Sequence, residues 1–332
     1  MKQARRCFAG LASLVVATAL GGFSASAWSA DADTYPSRPI KLVMPNAAGS
    51  SSDTLGRILA KYLGDTMGQT IIVENYAGAG GTIGMDVAKK AAPDGYTLVA
   101  VTPSGTSIAA NLRKNLTYDP VEDFDYISTY AVLPNLLVVN PKLPVKDLQE
   151  LMDYARAHPN ETFMASAGPG SQSHLAGAML ITMGKFPSTH VPYKGGGASV
   201  VAVMSGEAQW TITPASSVLG HAKSGKLRAI AHSLPQRSDL LPDIPTVNET
   251  VPGYAYSGWN GLAVPKGTPP SVVEKIRAAL MQTLAKPEVK EAFGKQGAEV
   301  VTSSPEEFKK MVRDEIQSTA AVVKAANLKV NN

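Results

Sequence analysis

The sequence predicts an α/β protein, helices layered on largely parallel sheets, arranged in two lobes. Three observations carry this. Strand-like apolar runs alternate with helical patterns almost throughout, as in βα units. The chain has 332 residues, enough after removal of a short leader for two ordinary cores. Two stretches mixing Gly or Pro with aromatics, 129–134 and 251–258, stand where the chain would cross between lobes. Two crossings make the first lobe discontinuous, 28–131 with 255–332, and insert 132–254 as the second.

The leader comes first. Lys2, Arg5 and Arg6 form a basic region, Phe8 to Leu20 an apolar run too short for a bilayer span, and Ala25-Ser26-Ala27 a cleavage site. A cut after Ala30 would put Trp28 where a small residue is wanted, so residues 1–27 are the expected signal peptide, cleaved after Ala27. No later run is long and apolar enough to cross a membrane. The mature chain is therefore expected in the periplasm. The sole cysteine, Cys7, lies ahead of the apolar run. It leaves the mature chain without a disulfide, a thiolate nucleophile or a cysteine metal site, which suits an oxidising compartment.

Removing the three leader cations leaves 31 − 3 = 28 basic against 27 acidic side chains. They are scattered, with no run that would track a phosphate backbone, which argues against nucleic acid as a partner.

Strands are expected at 40–44, 70–73, 97–101, 136–139, 162–165, 209–213 and 227–231, and helices at 54–67, 82–91, 145–157, 173–183, 198–205, 270–285 and 305–325. The most informative junction is the first. After the strand Ile40-Lys41-Leu42-Val43-Met44 come Pro45-Asn46-Ala47-Ala48-Gly49-Ser50 and then the cap formers Ser51, Ser52 and Asp53. A strand, a turn of small residues and a helix start present unpaired N–H groups at the positive end of a dipole, an anion site open to close approach. Phe163-Met164-Ala165, Gly168-Pro169-Gly170 and Ser171-Gln172-Ser173-His174 repeat the pattern in the second half. One such terminus from each lobe, facing a cleft, would suit a carboxylate.

The motifs, in order, resemble the Bug family, the substrate-binding proteins of tripartite tricarboxylate transporters. They include the first loop, Gly78-Ala79-Gly80-Gly81-Thr82-Ile83-Gly84, Pro93-Asp94-Gly95-Tyr96, Tyr118-Asp119-Pro120-Val121-Glu122-Asp123-Phe124 and Ser166-Ala167-Gly168-Pro169-Gly170-Ser171. His190-Val191-Pro192-Tyr193-Lys194-Gly195 and Ser224-Gly225-Lys226-Leu227-Arg228 continue the series. The resemblance spans nearly the whole mature chain. It implies a two-lobed, type II-like periplasmic binding protein fold hinged on two crossover strands. It also implies a small carboxylate held between the lobes by amides, hydroxyls and water, and delivery to transporter membrane subunits. Nothing points to an obligate oligomer, so a monomer is expected.

The candidate ligand residues are Asn46, Ala48, Gly49, Ser50 and Asp53 on the first loop; Ser104 and Thr106 after the third strand; Ser166, Gly168, Ser171 and Ser173 on the second loop; Lys194; and Thr213. Asp53 has two readings, contact with a ligand amino group or support of its own helix from the first turn, worth ~0.3–1 kcal/mol; the second is favoured. His174 is expected to order its loop. Lys194 is the best cation, although a lysine beside a Gly run is usually solvated. Departures from the family pattern bear on the solute. Ile212-Thr213-Pro214 replaces a common Phe-Asp-Asn, removing an aspartate suited to an amino group, and Asn260 stands where a ring is common. They imply a plain or aromatic carboxylate rather than an amino-dicarboxylate.

Other classes fare worse. Two alternatives are an exported hydrolase or isomerase of small acids, with Ser171 and His174 reacting, and a ligand-presenting partner of a signalling receptor. There is no Gly-x-Ser-x-Gly elbow, however. Ile83 stands at the third glycine of a would-be dinucleotide fingerprint, and the five histidines have no metal-ligand spacing. No catalytic residue, cofactor or metal is expected.

Overall fold

The computed structural model describes residues 34–238 and 240–325; the leader and its cleavage site lie outside them. The first unit runs β1 (Ile40–Met44), α1 (Ser51–Met67), β2 (Ile71–Asn75), α2 (Thr82–Lys89), β3 (Thr97–Val101), α3 (Ser107–Leu112) and β4 (Phe124–Leu133). The second runs β5 (Asn135–Val139), α4 (Leu148–Ala157), β6 (Phe163–Ser166), α5 (Gln172–Gly184), β7 (Thr189–Pro192), α6 (Gly196–Ser205), β8 (Trp210–Pro214), α7 (Ala215–Lys223), β9 (Arg228–His232) and α8 (Val247–Thr250). The chain then returns with β10 (Gly258–Pro265), α9 (Pro270–Ala285), α10 (Pro287–Gly294) and α11 (Pro305–Ala325).

The strands form two five-stranded sheets, β2-β1-β3-β10-β4 and β7-β6-β8-β5-β9. The two orders are the same pattern. In each sheet one strand, β10 or β5, runs antiparallel to both neighbours. The sheets are thus mixed rather than nearly all parallel. The physical reason is the connection: each antiparallel strand is the first after a crossing, so it enters its sheet from the opposite end. Residues 129–133 belong to β4 and Pro134 alone separates it from β5, while residues 251–257 lead into Gly258 at the start of β10.

Both sheets are covered on two faces, as apolar runs with no polar side require. Along β1, Leu42 and Met44 pack under α1 and α9, while Val43 faces the opposite core with Phe308 and Val312 of α11. Along β5, Leu137 and Val139 face one core and Leu136 and Val138 the other. Helices α1 and α5 each pass the strand before them at a glycine. A Cβ on Gly56 would lie 2.2 Å from Met44 Cε, and one on Gly177 1.8 Å from Met164 Sδ. The close approach fixes the start of each helix over the end of its strand.

Candidate ligand site

The two βα loops singled out in the sequence have the same construction. Ser50 caps α1 with φ −69° and ψ 161°, and Ser171 caps α5 with φ −73° and ψ 160°. Each hydroxyl accepts from the backbone N–H three residues on, Asp53 or His174, at 3.2 Å. The side chains of those same residues reach back to the glycine ahead of the cap. Asp53 Oδ2 accepts from Gly49 N–H at 2.8 Å and His174 Nδ1 from Gly170 N–H at 3.0 Å. Both glycines sit at positive φ, 78° and 72°, a conformation glycine adopts without strain.

Between the units lies a cavity of about 450 Å³. Four helix N-termini reach it: α1 through Ser50, Ser51 and Thr54, α5 through Ser171, Gln172 and Ser173, α6 through Gly196 and Gly197, and α7 through Ser216 and Ser217. The backbone N–H groups of Ser51, Ser52, Gln172, Ser173, Gly196, Gly197, Ser216 and Ser217 have no hydrogen-bond partner among the described residues. Added Cβ atoms on Gly196 and Gly197 would meet nothing within 4 Å, so the backbone there is open to a ligand. No wall residue is charged. The site is positive through dipoles and amides alone, which suits an anion and penalises a cation. The hydroxyls of Ser51 and Ser216, both in the wall, meet at 2.5 Å, so the two units touch there.

Gly49, Ser50, Ser171, Ser173 and Thr213 line this cavity. Ser104 lines a neighbouring one of about 220 Å³, in whose wall Ser171 also stands. The other candidates lie elsewhere. Asp53 is 2 % exposed and saturated, accepting from Gly49, from Arg57 at 3.0 Å and from Asn75 at 2.7 Å. These bonds hold its carboxyl below the usual range despite burial. Asn46 accepts from Asn75 through its carbonyl, and Ala48 is exposed beside it. Thr106 turns its hydroxyl onto the Thr102 carbonyl. Ser166 is fully buried, its hydroxyl 2.6 Å from His190 Nε2 and accepting from Gly168 N–H at 3.1 Å. Gly168 therefore spends its amide inside the loop. Lys194 is exposed and lines neither cavity; after the turn at Tyr193 it is Gly196 and Gly197 that stand in the wall.

Sequence reasoning missed Gln172, whose Nε2 is buried without a partner, and the α7 terminus at Ser216 and Ser217. A strand ending in Pro214 before Ala-Ser-Ser was a readable signal for the latter. Asn260 is 1 % exposed in β10; its Oδ1 accepts from Ser52 at 3.0 Å, so it ties β10 to the start of α1.

The geometry is poor for catalysis. His174 Nδ1 is occupied by Gly170 N–H, and Ser171 Oγ by His174's own amide, so neither activates the other. Among the described residues no cluster of His, Cys, Asp or Glu is disposed to hold a metal, and no helix is long and apolar enough to cross a membrane.

Comparison with known proteins agrees in kind. Residues 55–328 match the tripartite tricarboxylate transporter family receptor, TctC. Protein BugT of Bordetella pertussis (strain Tohama I) is 36 % identical over 301 residues, 90 % of this chain and 92 % of its own. The periplasmic binding protein BugD superposes with TM-score 0.76 at 33 % identity, covering 89 % of this chain and 99 % of its own. Rpa4515 of R. palustris, solved with adipate, has TM-score 0.79 at 31 % identity over 89 % and 99 % of the two chains. MatC from Rhodopseudomonas palustris, solved with bound malate, has TM-score 0.75 at 31 % identity over 87 % and 100 %.

Proposed function

The chain belongs to the receptor family of tripartite tricarboxylate transporters, solute-binding proteins rather than enzymes, and on that premise we propose which groups hold its solute. The solute is a small carboxylate seated in the cavity between the sheets. The observation that carries this is the convergence of four helix N-termini on walls without a charged residue. Carboxylate oxygens accept from the free amides at the starts of α1, α5, α6 and α7, with Ser50, Ser171, Ser173 and Thr213 beside them. Gly49 and Gly168 shape the loops, while Asp53, Ser166 and Thr106 hold them. The lobes are 28–131 with 255–332 and 132–254, and they close on the ligand by bending at the two crossings. The mature protein starts after Ala27, works as a monomer in the periplasm, and hands its solute to the transporter's membrane subunits.

Thermal unfolding of the mature protein with a panel of acids tests this. The panel holds aliphatic di- and tricarboxylates, their amino analogues, and aromatic acids. A solute at a hundredfold excess over its Kd adds about 2.7 kcal/mol to the native state. Stabilisation by one class of acid, absent with the matching amide, is the expected result. Stabilisation by none, with protein refolded from denaturant to strip any resident solute, overturns the reading. Equal affinity for aspartate and succinate would remove the argument drawn from Thr213.

A further inference from the structure

Two carboxamide side chains stand in the wall of the ligand cavity, Gln172 on the first turn of α5 and Gln296 in the loop after α10, one from each unit. The other polar side chains there are hydroxyls, and none is charged. Neither glutamine side chain hydrogen-bonds to a described residue. Gln172 is the more constrained of the two, because its Nε2 is buried as well as unpaired. It lies against Gly258, the first residue of β10. A Cβ on Gly258 would come within 2.5 Å of Nε2 and 3.4 Å of Cδ and Oε1. The backbone there is not in the left-handed region, so it does not itself require glycine. What the missing Cβ provides is a seat for the glutamine.

Buried polar side-chain atoms are nearly always paired, so an unpaired one in the wall of a binding cavity points to a partner that arrives with the ligand. A half-turn about the last side-chain bond exchanges the amide's oxygen and nitrogen. Gln172 can therefore offer a solute either a donor or an acceptor, and in both cases without charge. The helix N-termini already supply what a carboxylate needs. An alkyl group beside Gln172 would leave the amide unpaired, and a site built to hydrogen-bond a substituent rejects the analogue that lacks it.

We propose that Gln172 sets the specificity of the site by reading a neutral hydrogen-bonding group, a hydroxyl or a carboxamide, on the body of the solute. This rests on the carboxylate reading above and names the class within it, an acid with a neutral polar substituent. Gly258 acts through Gln172, by leaving room for its amide.

Isothermal titration of the mature protein with acids paired by shape tests it: 3-hydroxybutyrate against 3-methylbutyrate, succinamate against 4-methylpentanoate, and 4-carbamoylbenzoate against 4-isopropylbenzoate. The wild type should bind the polar member of at least one pair more tightly by about tenfold or more, and the pair that shows it tells hydroxyl from carboxamide. Gln172→Ala should bring that pair to within about threefold by weakening the polar member and sparing the other. Gly258→Ala keeps the glutamine but fills its seat, and should narrow the ratio by a similar factor. Added to Gln172→Ala, it should change the ratio no further. A merely structural role for either residue would weaken both members of the pair alike. No binding or no preference within the pairs, or a ratio that survives Gln172→Ala or Gly258→Ala, overturns the proposal. Equal binding of both members leaves the carboxylate seat standing, whereas failure of every acid here and in the wider panel removes both.

Discussion

Asp53 and His174 occupy corresponding places in the two units: each is the third residue of its helix, and each side chain takes the N–H of the glycine before the cap serine, at 2.8 and 3.0 Å. One is a carboxylate and the other an imidazole, so the correspondence lies in the geometry rather than in residue type. Their effect is the same. The glycine amide is spent inside the loop, and the following amides are left pointing into the cavity. The site therefore depends on groups that do not line it.

It follows that Asp53→Ala and His174→Ala should loosen the site without changing what it prefers. Each loses a cap partner and strands a glycine amide, costing about 1–2 kcal/mol of stability; Asp53→Ala stands at the upper end because Arg57 and Asn75 lose their acceptor as well. Denaturant unfolding would give the cost. Titration across the acid panel should show every solute weakened by a similar factor. A changed ranking of acids would assign the residue to ligand contact instead.

A negative charge placed in the cavity separates binding from stability more sharply. Ser217 is exposed on the first turn of α7 and lines the cavity. In Ser217→Asp the carboxylate interacts favourably with the helix start, by about 0.3–1 kcal/mol, so the unliganded protein should unfold at the same temperature or slightly higher. The same carboxylate would occupy the amides and repel an anionic solute. We expect Kd to rise by about a hundredfold, the equivalent of roughly 2.7 kcal/mol, measured by titration at low salt. Unchanged affinity would mean that the solute does not sit at α7.

Much of this was legible in the residues because local signals and tertiary structure agree. The β1 run appears at Ile40–Met44 as expected, while the helix after the small-residue turn begins at Ser51 rather than Thr54, with Ser50 as its cap and Ser51-Ser52-Asp53 as its first turn. Other parts were hidden by competing local signals. β10 reads as a turn because Gly258 and Gly261 interrupt it, yet all eight residues are buried. A Cβ on Gly261 would lie 2.1 Å from Phe308 Cζ, so that glycine serves the packing of α11. β4 carries Asp125, Ser128 and Thr129 in an otherwise apolar strand, which masks its period.

Acid should weaken the second unit through His190. Its ring stacks on His174 at 3.8 Å and is half-buried, and this burial together with the neighbouring imidazole pushes its pKa down to about 4. An unfolded histidine titrates near 6.5, so below that pH the unfolded chain takes up a proton that the native one refuses. The stability contribution is complete above pH ~6.5 and is lost as pH falls toward 4. Allowing for partial exposure, the loss is about 2 kcal/mol. His190→Asn should flatten the dependence of unfolding free energy between pH 6.5 and 4.5 relative to wild type. Parallel curves would mean that His190 protonates freely in the folded protein.

Glu315 gives the opposite slope. It lines a cavity of about 720 Å³ walled by Tyr256 just ahead of β10, Trp259 within β10 and Leu175 of α5. Oε1 accepts from Trp259 Nε1 at 3.1 Å, while Oε2 is buried with no partner. Burial pushes its pKa up to about 7 against the opposing influence of the Ser107 hydroxyl and of Trp259. Glu307, Lys310 and Asp314 share this wall on α11. An unfolded glutamate ionises near 4.3. As pH rises from there to 7, the unfolded chain releases a proton that the native one keeps, so stability falls. Above pH 7 the native state bears the cost of a buried charge. Glu315→Gln retains an acceptor for Trp259 and has no charge to bury. It should therefore match the wild type at pH 4.5 and exceed it at pH 8 by about 2 kcal/mol in denaturant unfolding. Because His190 loses stability toward acid and Glu315 toward base, His190→Asn should move the pH of maximum stability down and Glu315→Gln should move it up. Shifts in the same direction would show that one of the two groups titrates as an exposed side chain.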